Sequence, residues 1–170
     1  MEYKKGDVVN FNWKDGFFSR LITLYNYLYY RESTATHSGI ISRVTKDTIY
    51  LYESIMSEGT DFKEHAYERW WLDERVKDKT VTIRRPLSAL NSVEETCKLY
   101  QNIRYDIVSI ILMPFKLVIN STEAMFCSEV VSRILYDCSN KKIDISSELG
   151  KSYEKITPMD LQKTEQLQSI

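Results

Sequence analysis

The stretch HSGIISRVTKDTIYLYES, residues 37–54, decides the fold of this chain. Two runs within it, 37–42 and 48–54, are rich in isoleucine, tyrosine and other residues that favour strands. The short polar segment between them, RVTKD, is typical of the connection in a β-hairpin. The stretch therefore predicts two adjacent antiparallel strands with a histidine at the entrance of the first.

The pairing of these two strands brings one histidine close to one glutamate. A register in which Ile41 faces Ile49 places His37 opposite Glu53 on the same face, because positions on one face advance two residues at a time. Directly opposed side chains have Cβ atoms about 5 Å apart, within hydrogen-bond reach for these two residue types. A slip of one residue would break the pairing. The alternative is a histidine that simply packs at a strand edge.

A predicted helix over FCSEVVSRILYDC, residues 126–138, begins with a cysteine. Its apolar residues recur at helical spacing, and Cys127 stands where free backbone N–H groups and the helix dipole stabilise a thiolate. A nucleophilic cysteine needs a base and a group that orients the base, and His37 and Glu53 supply both. The alternative is that Cys127, like Cys138, is a small apolar residue of a buried face.

The remaining elements give the fold class. The sequence has strands mainly in its first half and helices mainly in its second, which predicts an α+β fold with a mostly antiparallel sheet packed against helices. No repeat or linker divides residues 1–170, so we expect a single domain. Besides the hairpin, the predicted strands are one at 8–11, one after Gly59 and one at 80–85. The predicted helices lie at 17–30, at 67–72, from Ser92 with a capping box to Glu95, and at 107–119 with a break at Pro114. A last helix is capped by Thr157 and has Pro158 at its first position.

Composition excludes several classes of protein. The net charge is −1 and no basic stripe is present, so we expect no nucleic-acid partner. The N-terminal residues lack the apolar core of a signal peptide, and the most apolar stretch, 105–119, is too short to span a bilayer and contains a proline. We therefore expect a cytoplasmic protein with three free thiols, no transmembrane segment and no cofactor. No HExxH motif or Cys/His cluster indicates a metal.

Six short motifs resemble one family, in order along nearly the whole chain. They are GDVVNF (6–11), THSGII (36–41), YLYES (50–54), YD (105–106), FCSEVV (126–131) and ITPMDL (156–161). Their order is similar to that of the circularly permuted NlpC-type papain-like proteins. This YiiX/YebB-like group includes a short poxvirus protein and is akin to the lecithin:retinol acyltransferase-like enzymes.

The resemblance implies a permuted papain-like fold, with a curved antiparallel sheet and the nucleophile at a helix N-terminus. It also implies a cysteine hydrolase or acyltransferase that cleaves an amide or ester bond in a peptide or lipid-acyl substrate. The implied roles are Cys127 as nucleophile, His37 as base and acid, and Glu53 as the residue that orients His37. Peripheral lipid contact and a viral or phage origin fit this class. A catalytically silent binding module that keeps the fold is the alternative, and the oligomeric state stays open.

Further positions of interest surround this predicted triad. The GD and YD motifs mark Asp7, Tyr105 and Asp106 as candidate substrate-binding residues, although an Asp at a strand entry often bonds neighbouring backbone amides. We expect His65 to be a partly exposed surface histidine and Glu129 to lie on the outer side of its helix. The tyrosine-rich helix at 17–30 is a candidate wall of a groove for a lipid or peptide chain.

Overall fold

A computed structural model describes residues 1–13, 16–55, 61–112 and 124–170. Within these residues, strands alternate with helices in the first half of the chain and helices dominate the second. The strands are β1 (Val8–Phe11), β2 (His37–Val44), β3 (Thr48–Glu53), β4 (Lys63–Glu68), β5 (Val81–Pro86), β6 (Arg104–Tyr105), β7 (Ala124–Met125) and β8 (Leu167–Ser169). The helices are α1 (Phe17–Tyr30), α2 (Arg69–Lys77), α3 (Val93–Leu99), α4 (Ile107–Leu112), α5 (Cys127–Cys138), α6 (Ile145–Leu149) and α7 (Pro158–Lys163).

Six of these strands form one sheet in the order β4-β3-β2-β1-β5-β8. Every neighbouring pair in it is antiparallel. The predicted α+β class, with an antiparallel sheet packed against helices, is confirmed. The hairpin of β2 and β3 lies within the sheet, with β1 beside β2 and β4 beside β3.

The central strands are apolar on both faces because each face has its own core. Val8 and Ile40 belong to a large cluster that includes α3 and α5, whereas Val9 and Ile41 belong to a second cluster that includes Leu72 of α2. Successive residues of a strand point to opposite faces. The consecutive apolar pairs in β1 and β2 therefore reflect a sheet that is covered on both sides.

The predicted register of the hairpin is wrong. Ile41 faces Leu51 rather than Ile49, and the register shifts between Ile41 and Arg43. Ser42 is the extra residue of a β-bulge, where its hydroxyl donates to the Tyr50 carbonyl and to the Glu64 carboxylate. The residues of the turn alone do not predict such a bulge. Between the start of β2 and the bulge, the actual register differs from the predicted one by two residues.

Most predicted elements are present, with changes at their ends. The helix at 17–30 matches α1, and Thr157 caps α7 through a capping box with Asp160. Ser92 precedes α3, but its side chain makes no capping bond because the residue adopts a left-handed backbone conformation. The predicted helix at 67–72 begins later, at Arg69, since residues 63–68 extend β4. Pro114 lies outside the described residues.

Among the described residues, no helix combines the length and apolar character needed to cross a bilayer. The chain's longest apolar helix within them is α1, which has 14 residues. A membrane-spanning helix needs about 20 residues.

Asp7 supports the entrance of β1. Its carboxylate accepts two hydrogen bonds from Arg85 of β5, at 2.7 and 2.8 Å, and a third from the Lys4 backbone N–H at 2.8 Å. Asp7 is almost completely buried. Because Phe11, at the other end of β1, is the residue that pairs with His37, Asp7 lies at the far end of the strand from the predicted triad.

We expect Asp7→Ala to lower the free energy of unfolding by about 1–3 kcal/mol, because it leaves the Arg85 guanidinium without its partner. Urea denaturation followed by circular dichroism measures this loss. The exposed Glu165→Ala is the control and should change stability by less than about 0.5 kcal/mol. A folded Asp7→Ala protein of unchanged stability that no longer reacts at Cys127 would instead assign Asp7 to the site.

Candidate active site

A buried hydrogen bond joins His37 and Glu53. His37 Nε2 donates to Glu53 Oε2 over 2.7 Å, and both side chains are buried. Glu53 Oε1 has no hydrogen-bond partner among the described residues. A buried carboxylate with a single partner is stabilised best when that partner carries a positive charge. This arrangement favours a protonated His37.

The pair forms although the two residues are not directly opposite. Continuing the register of Ile40 with Tyr52 places Gly39 opposite Glu53, so Glu53 reaches His37 diagonally along the same face. A side chain at position 39 would crowd Glu53, because a Cβ there would lie 3.2 Å from Glu53 Cβ, which is tighter than an ordinary contact. The glycine thus leaves room for Glu53 beside His37.

The Cys127 thiol lies against the imidazole. Cys127 is the first residue of α5, and its side chain hydrogen-bonds with that of His37. Since Glu53 occupies Nε2, Nδ1 is the ring nitrogen left for the sulfur. The backbone N–H of Ser38 and the hydroxyl of Tyr105 also donate to the sulfur. The structure therefore connects Glu53, His37 and Cys127 in one hydrogen-bonded chain.

These contacts shift the two pKa values in opposite directions. Burial acts to raise the pKa of the Cys127 thiol, but the charge of His37 and the hydrogen bonds to the sulfur lower it overall. Burial acts to lower the pKa of His37, but the charge of Cys127 and the hydrogen bonds that the imidazole makes with Cys127 and Glu53 raise it overall. The combination favours a thiolate–imidazolium pair at neutral pH.

The other two cysteines have the opposite electrostatic environment. Burial raises the pKa of Cys97 and that of Cys138 above the ordinary thiol value, and neither thiol contacts a histidine among the described residues. All three cysteines are free and buried. Of the three thiols, Cys127 is the one whose pKa is lowered.

A two-residue parallel ladder brings Tyr105 to the sulfur. Strand β6 pairs with β7 so that Tyr105 lies beside Met125, two residues before Cys127. The Tyr105 hydroxyl donates to Cys127 Sγ over 3.5 Å and accepts a hydrogen bond from the Cys127 backbone N–H. Burial, followed by the nearby Cys127 charge, raises the pKa of Tyr105 well above its ordinary value, so the hydroxyl keeps its proton and remains a donor.

Asp106, the second member of the YD motif, faces away from this chemistry. Its carboxylate accepts a hydrogen bond from the Ser109 backbone N–H at 2.9 Å, which caps the first turn of α4. Its own backbone N–H donates to the Met125 carbonyl and extends the ladder of β6 and β7. The contacts of Asp106 are thus those of a residue that holds Tyr105 in place.

Two aromatic residues that the sequence analysis did not select enclose the imidazole. The Trp13 indole stacks on His37 with ring centroids 4.9 Å apart and an interplanar angle of 7°, and the Phe11 ring lies 5.6 Å from the same imidazole. An aromatic face stabilises a neighbouring cation. Phe11 pairs with His37 across the sheet. The alternation of side chains along β1, continued by two residues to Trp13, is the sequence pattern that could have predicted both rings near His37.

A cavity of about 340 Å³ opens beside the imidazole and the Tyr105 ring. The described residues of its wall are mostly aromatic and aliphatic, and none of them is a carboxylate, a lysine or an arginine. The lining residues are Trp13, Gly16, Phe17, Phe18, Ser19, Ile22, Thr36, His37, Ser54, Ile55 and Tyr105. A space of this size and polarity suits an apolar group of a small ligand.

Two sequence expectations near the site are corrected. Glu129 is buried, not on the outer side of α5: its carboxylate accepts hydrogen bonds from the Arg133 guanidinium at 3.0 and 3.1 Å and from the Phe126 backbone N–H. It therefore ties down the turn that carries Cys127. His65 is buried as well, on β4 opposite Leu51. Within the described ranges, no three His, Cys, Asp or Glu side chains are grouped so that they could hold a metal ion.

No protein-family model, curated protein or solved structure matches this chain. The site itself contains a hydrogen-bonded chain from Glu53 through His37 to Cys127, with opposite pKa shifts at its last two members.

We expect the rate at which iodoacetamide alkylates Cys127 to approach its plateau at a lower pH than for an ordinary thiol, while the burial of the sulfur limits the absolute rate. The pKa of the thiol is lowered, so the thiolate persists to a pH below the ordinary thiol pKa of about 8.5. In His37→Ala the imidazolium is gone, and the rate should rise only through that value or above it. Alkylation that is quenched at timed intervals and quantified by peptide mass spectrometry measures the rate as a function of pH for both proteins. The same pH dependence in the two proteins would contradict the ion pair.

We expect Gly39→Ala to weaken the contact between Glu53 and His37, since the added Cβ crowds the Glu53 side chain. Stability should fall by about 1–3 kcal/mol, as for other overpacked sites. The alkylation profile of Cys127 should shift toward higher pH, as it should in Glu53→Gln. A Gly39→Ala protein that loses stability but keeps the wild-type profile would show that the glycine serves packing alone.

Proposed function

We propose that this chain is a thiol hydrolase or acyltransferase that cleaves an amide or ester bond of a peptide or lipid-acyl substrate. The observation that carries the proposal is the hydrogen-bonded chain of Glu53, His37 and Cys127, in which the thiol pKa is lowered and the imidazole pKa is raised. These are the conditions that a cysteine nucleophile requires at neutral pH.

The first half of the reaction forms an acyl-enzyme. The Cys127 thiolate attacks the substrate carbonyl carbon, a C–S bond forms, and the carbonyl oxygen becomes an oxyanion. The Cys127 backbone N–H and the Tyr105 hydroxyl, which meet beside the sulfur, are the donors for that oxyanion. His37 then gives its Nδ1 proton to the leaving nitrogen or oxygen, the C–N or C–O bond breaks, and a thioester remains.

The second half returns the thiolate. Neutral His37 takes a proton from water, or from a second acceptor, as that oxygen attacks the thioester carbon. The C–S bond breaks, the acid or transferred acyl product leaves, and the thiolate again faces an imidazolium. Glu53 keeps the same proton on Nε2 throughout, which fixes the ring orientation for both transfers.

The proposal includes the circularly permuted papain-like arrangement that the sequence motifs resemble. The order along the chain supports it: His37 and Glu53 stand on β2 and β3, and Cys127 follows at the start of α5. The packing of α5 against β2 supports it as well. In this arrangement the base, which lies on the sheet, precedes the nucleophile in the sequence.

A second candidate, a catalytically silent binding module, is favoured by one observation. Cys127 is only 2% exposed and is absent from the residues that line the adjacent cavity, because the Tyr105 hydroxyl lies against its sulfur. Acylation requires the substrate carbonyl to displace that hydroxyl. A silent module would keep the sulfur covered.

We expect p-nitrophenyl acetate to acylate Cys127, with a burst of about one p-nitrophenolate per chain as the acyl-enzyme accumulates. Intact-mass and peptide mass spectrometry should place the acetyl group on Cys127. The adduct should be absent in Cys127→Ala and should form at least about 100-fold more slowly in His37→Ala.

Cys138→Ala is the matched control, because it removes a buried thiol from the other end of the same helix. It should acylate like the wild type. An acetyl group on Cys97 or Cys138, or a rate that does not depend on His37, would overturn the proposed triad. Absence of both acylation and iodoacetamide labelling at neutral pH would favour the silent module.

A further inference from the structure

The outward face of α1 is apolar where a surface helix is ordinarily polar. Phe17, Leu24 and Leu28 are 66%, 50% and 53% exposed, and their spacing of seven and four residues places them on one side of the helix. Tyr27 is exposed beside them. The opposite side of α1 packs inward through Ile22 and is fully buried there. The exposed apolar stripe is therefore separate from the side of α1 that packs against the protein core.

A second helix extends this stripe. Helix α4 contacts α1 and exposes two more aliphatic side chains, Val108 and Ile111. We call the exposed residues of the two helices the α1–α4 face; its apolar members are Phe17, Leu24, Tyr27, Leu28, Val108 and Ile111. Large apolar side chains exposed on two helices in contact are typical of an interaction site.

The charges of the α1–α4 face have one sign. Residues 16–31 contain Arg20 and Arg31, both exposed, and no acidic residue, and residues 107–112 contain no charge. Glu32, the next residue, forms an ion pair with Lys163. The chain as a whole has 24 acidic and 23 basic residues, whereas the two helices of this face have two arginines and no carboxylate.

The same helix connects the α1–α4 face with the candidate active site. Phe17, Phe18 and Ile22 of α1 line the cavity that also touches His37. Phe17 belongs to both surfaces, since it lines the cavity and is largely exposed. Phe17 thus joins the α1–α4 face to the cavity that touches the imidazole.

We propose that the α1–α4 face binds the surface of a lipid bilayer with anionic headgroups, and that the substrate is an acyl ester or amide of a lipid in that bilayer. The substrate half of this inference rests on the proposed function. Aromatic and aliphatic side chains enter the headgroup boundary while flanking arginines meet the lipid phosphates. The cavity then receives the acyl group from the membrane side.

The charges favour a bilayer over a second copy of the chain. In a symmetric dimer the same face is used twice, which brings Arg20 and Arg31 of both copies into one interface. Like charges at such an interface repel one another. Anionic headgroups instead neutralise them, and binding is strengthened for each arginine near the membrane surface.

Sedimentation with vesicles tests the membrane contact without requiring catalysis. The wild type should bind vesicles of phosphatidylcholine and phosphatidylglycerol more strongly than vesicles of phosphatidylcholine alone. The double variant Leu24→Glu, Leu28→Glu should reduce the bound fraction at least about tenfold, because two apolar contacts are replaced by charges. The control is Leu87→Glu, Leu99→Glu, which changes two leucines that are exposed elsewhere and should bind like the wild type.

A pair of esters tests the substrate half. p-Nitrophenyl acetate reaches the site from water, whereas p-nitrophenyl palmitate incorporated in the vesicles reaches it from the bilayer. The Leu24→Glu, Leu28→Glu variant should keep the wild-type rate of Cys127 acylation by the acetate and lose at least about tenfold with the palmitate. Its unchanged acylation by acetate also confirms that the variant is folded.

Distinct outcomes overturn the two proposals. Vesicles that fail to sediment the wild type, or a control double variant that loses as much binding as the α1–α4 variant, overturn the membrane contact even if Cys127 is acylated. A concentration-dependent dimer abolished by Leu24→Glu, Leu28→Glu, with no vesicle binding, overturns it in favour of a second copy. Lack of acylation by either ester, with vesicle binding retained, overturns the proposed function and the lipid substrate while the membrane contact stands.

Discussion

The hydrogen bond between His37 and Glu53 is the interaction on which the rest of the site depends. It lies at the end of the central strands, where water does not screen it, so a charge on one partner strongly favours the opposite charge on the other. The protonated imidazole then stabilises the Cys127 thiolate against the cost of its burial. The Trp13 indole, which stacks on His37, and helix α5, which packs against β2, keep the charges of Glu53, His37 and Cys127 away from solvent.

The hairpin shows how far sequence reasoning reaches. Alternation placed His37 and Glu53 on one face of the sheet, and this face assignment survives because the true register differs from the predicted one by an even number of residues before the bulge. The predicted direct opposition does not survive. At the bulge, the Ser42 hydroxyl donates to the Glu64 carboxylate of β4, a strand outside the hairpin, so the hairpin sequence alone does not predict that contact.

Other features of the site arise from contacts that are distant in sequence. Cys127 at a helix start was predictable from local spacing, whereas the position of Tyr105 depends on a two-residue pairing between β6 and β7. The burial of Glu129 was missed because a glutamate in the first turn of a helix is ordinarily exposed, and here Arg133 compensates its charge. The periodicity of the sequence predicts secondary-structure elements and their buried faces, but it does not predict which residues far apart in the sequence contact one another.

The contact between the Tyr105 hydroxyl and the Cys127 sulfur has a consequence for the resting protein. A thiolate is the form of cysteine most easily oxidised, and small oxidants need open access to the sulfur. With three donors around it and almost no exposed surface, the sulfur of Cys127 combines high intrinsic reactivity with physical protection. A carbonyl oxygen that takes over the Tyr105 hydrogen bond removes the cover as it enters, so the chemistry that needs the thiolate also selects what reaches it.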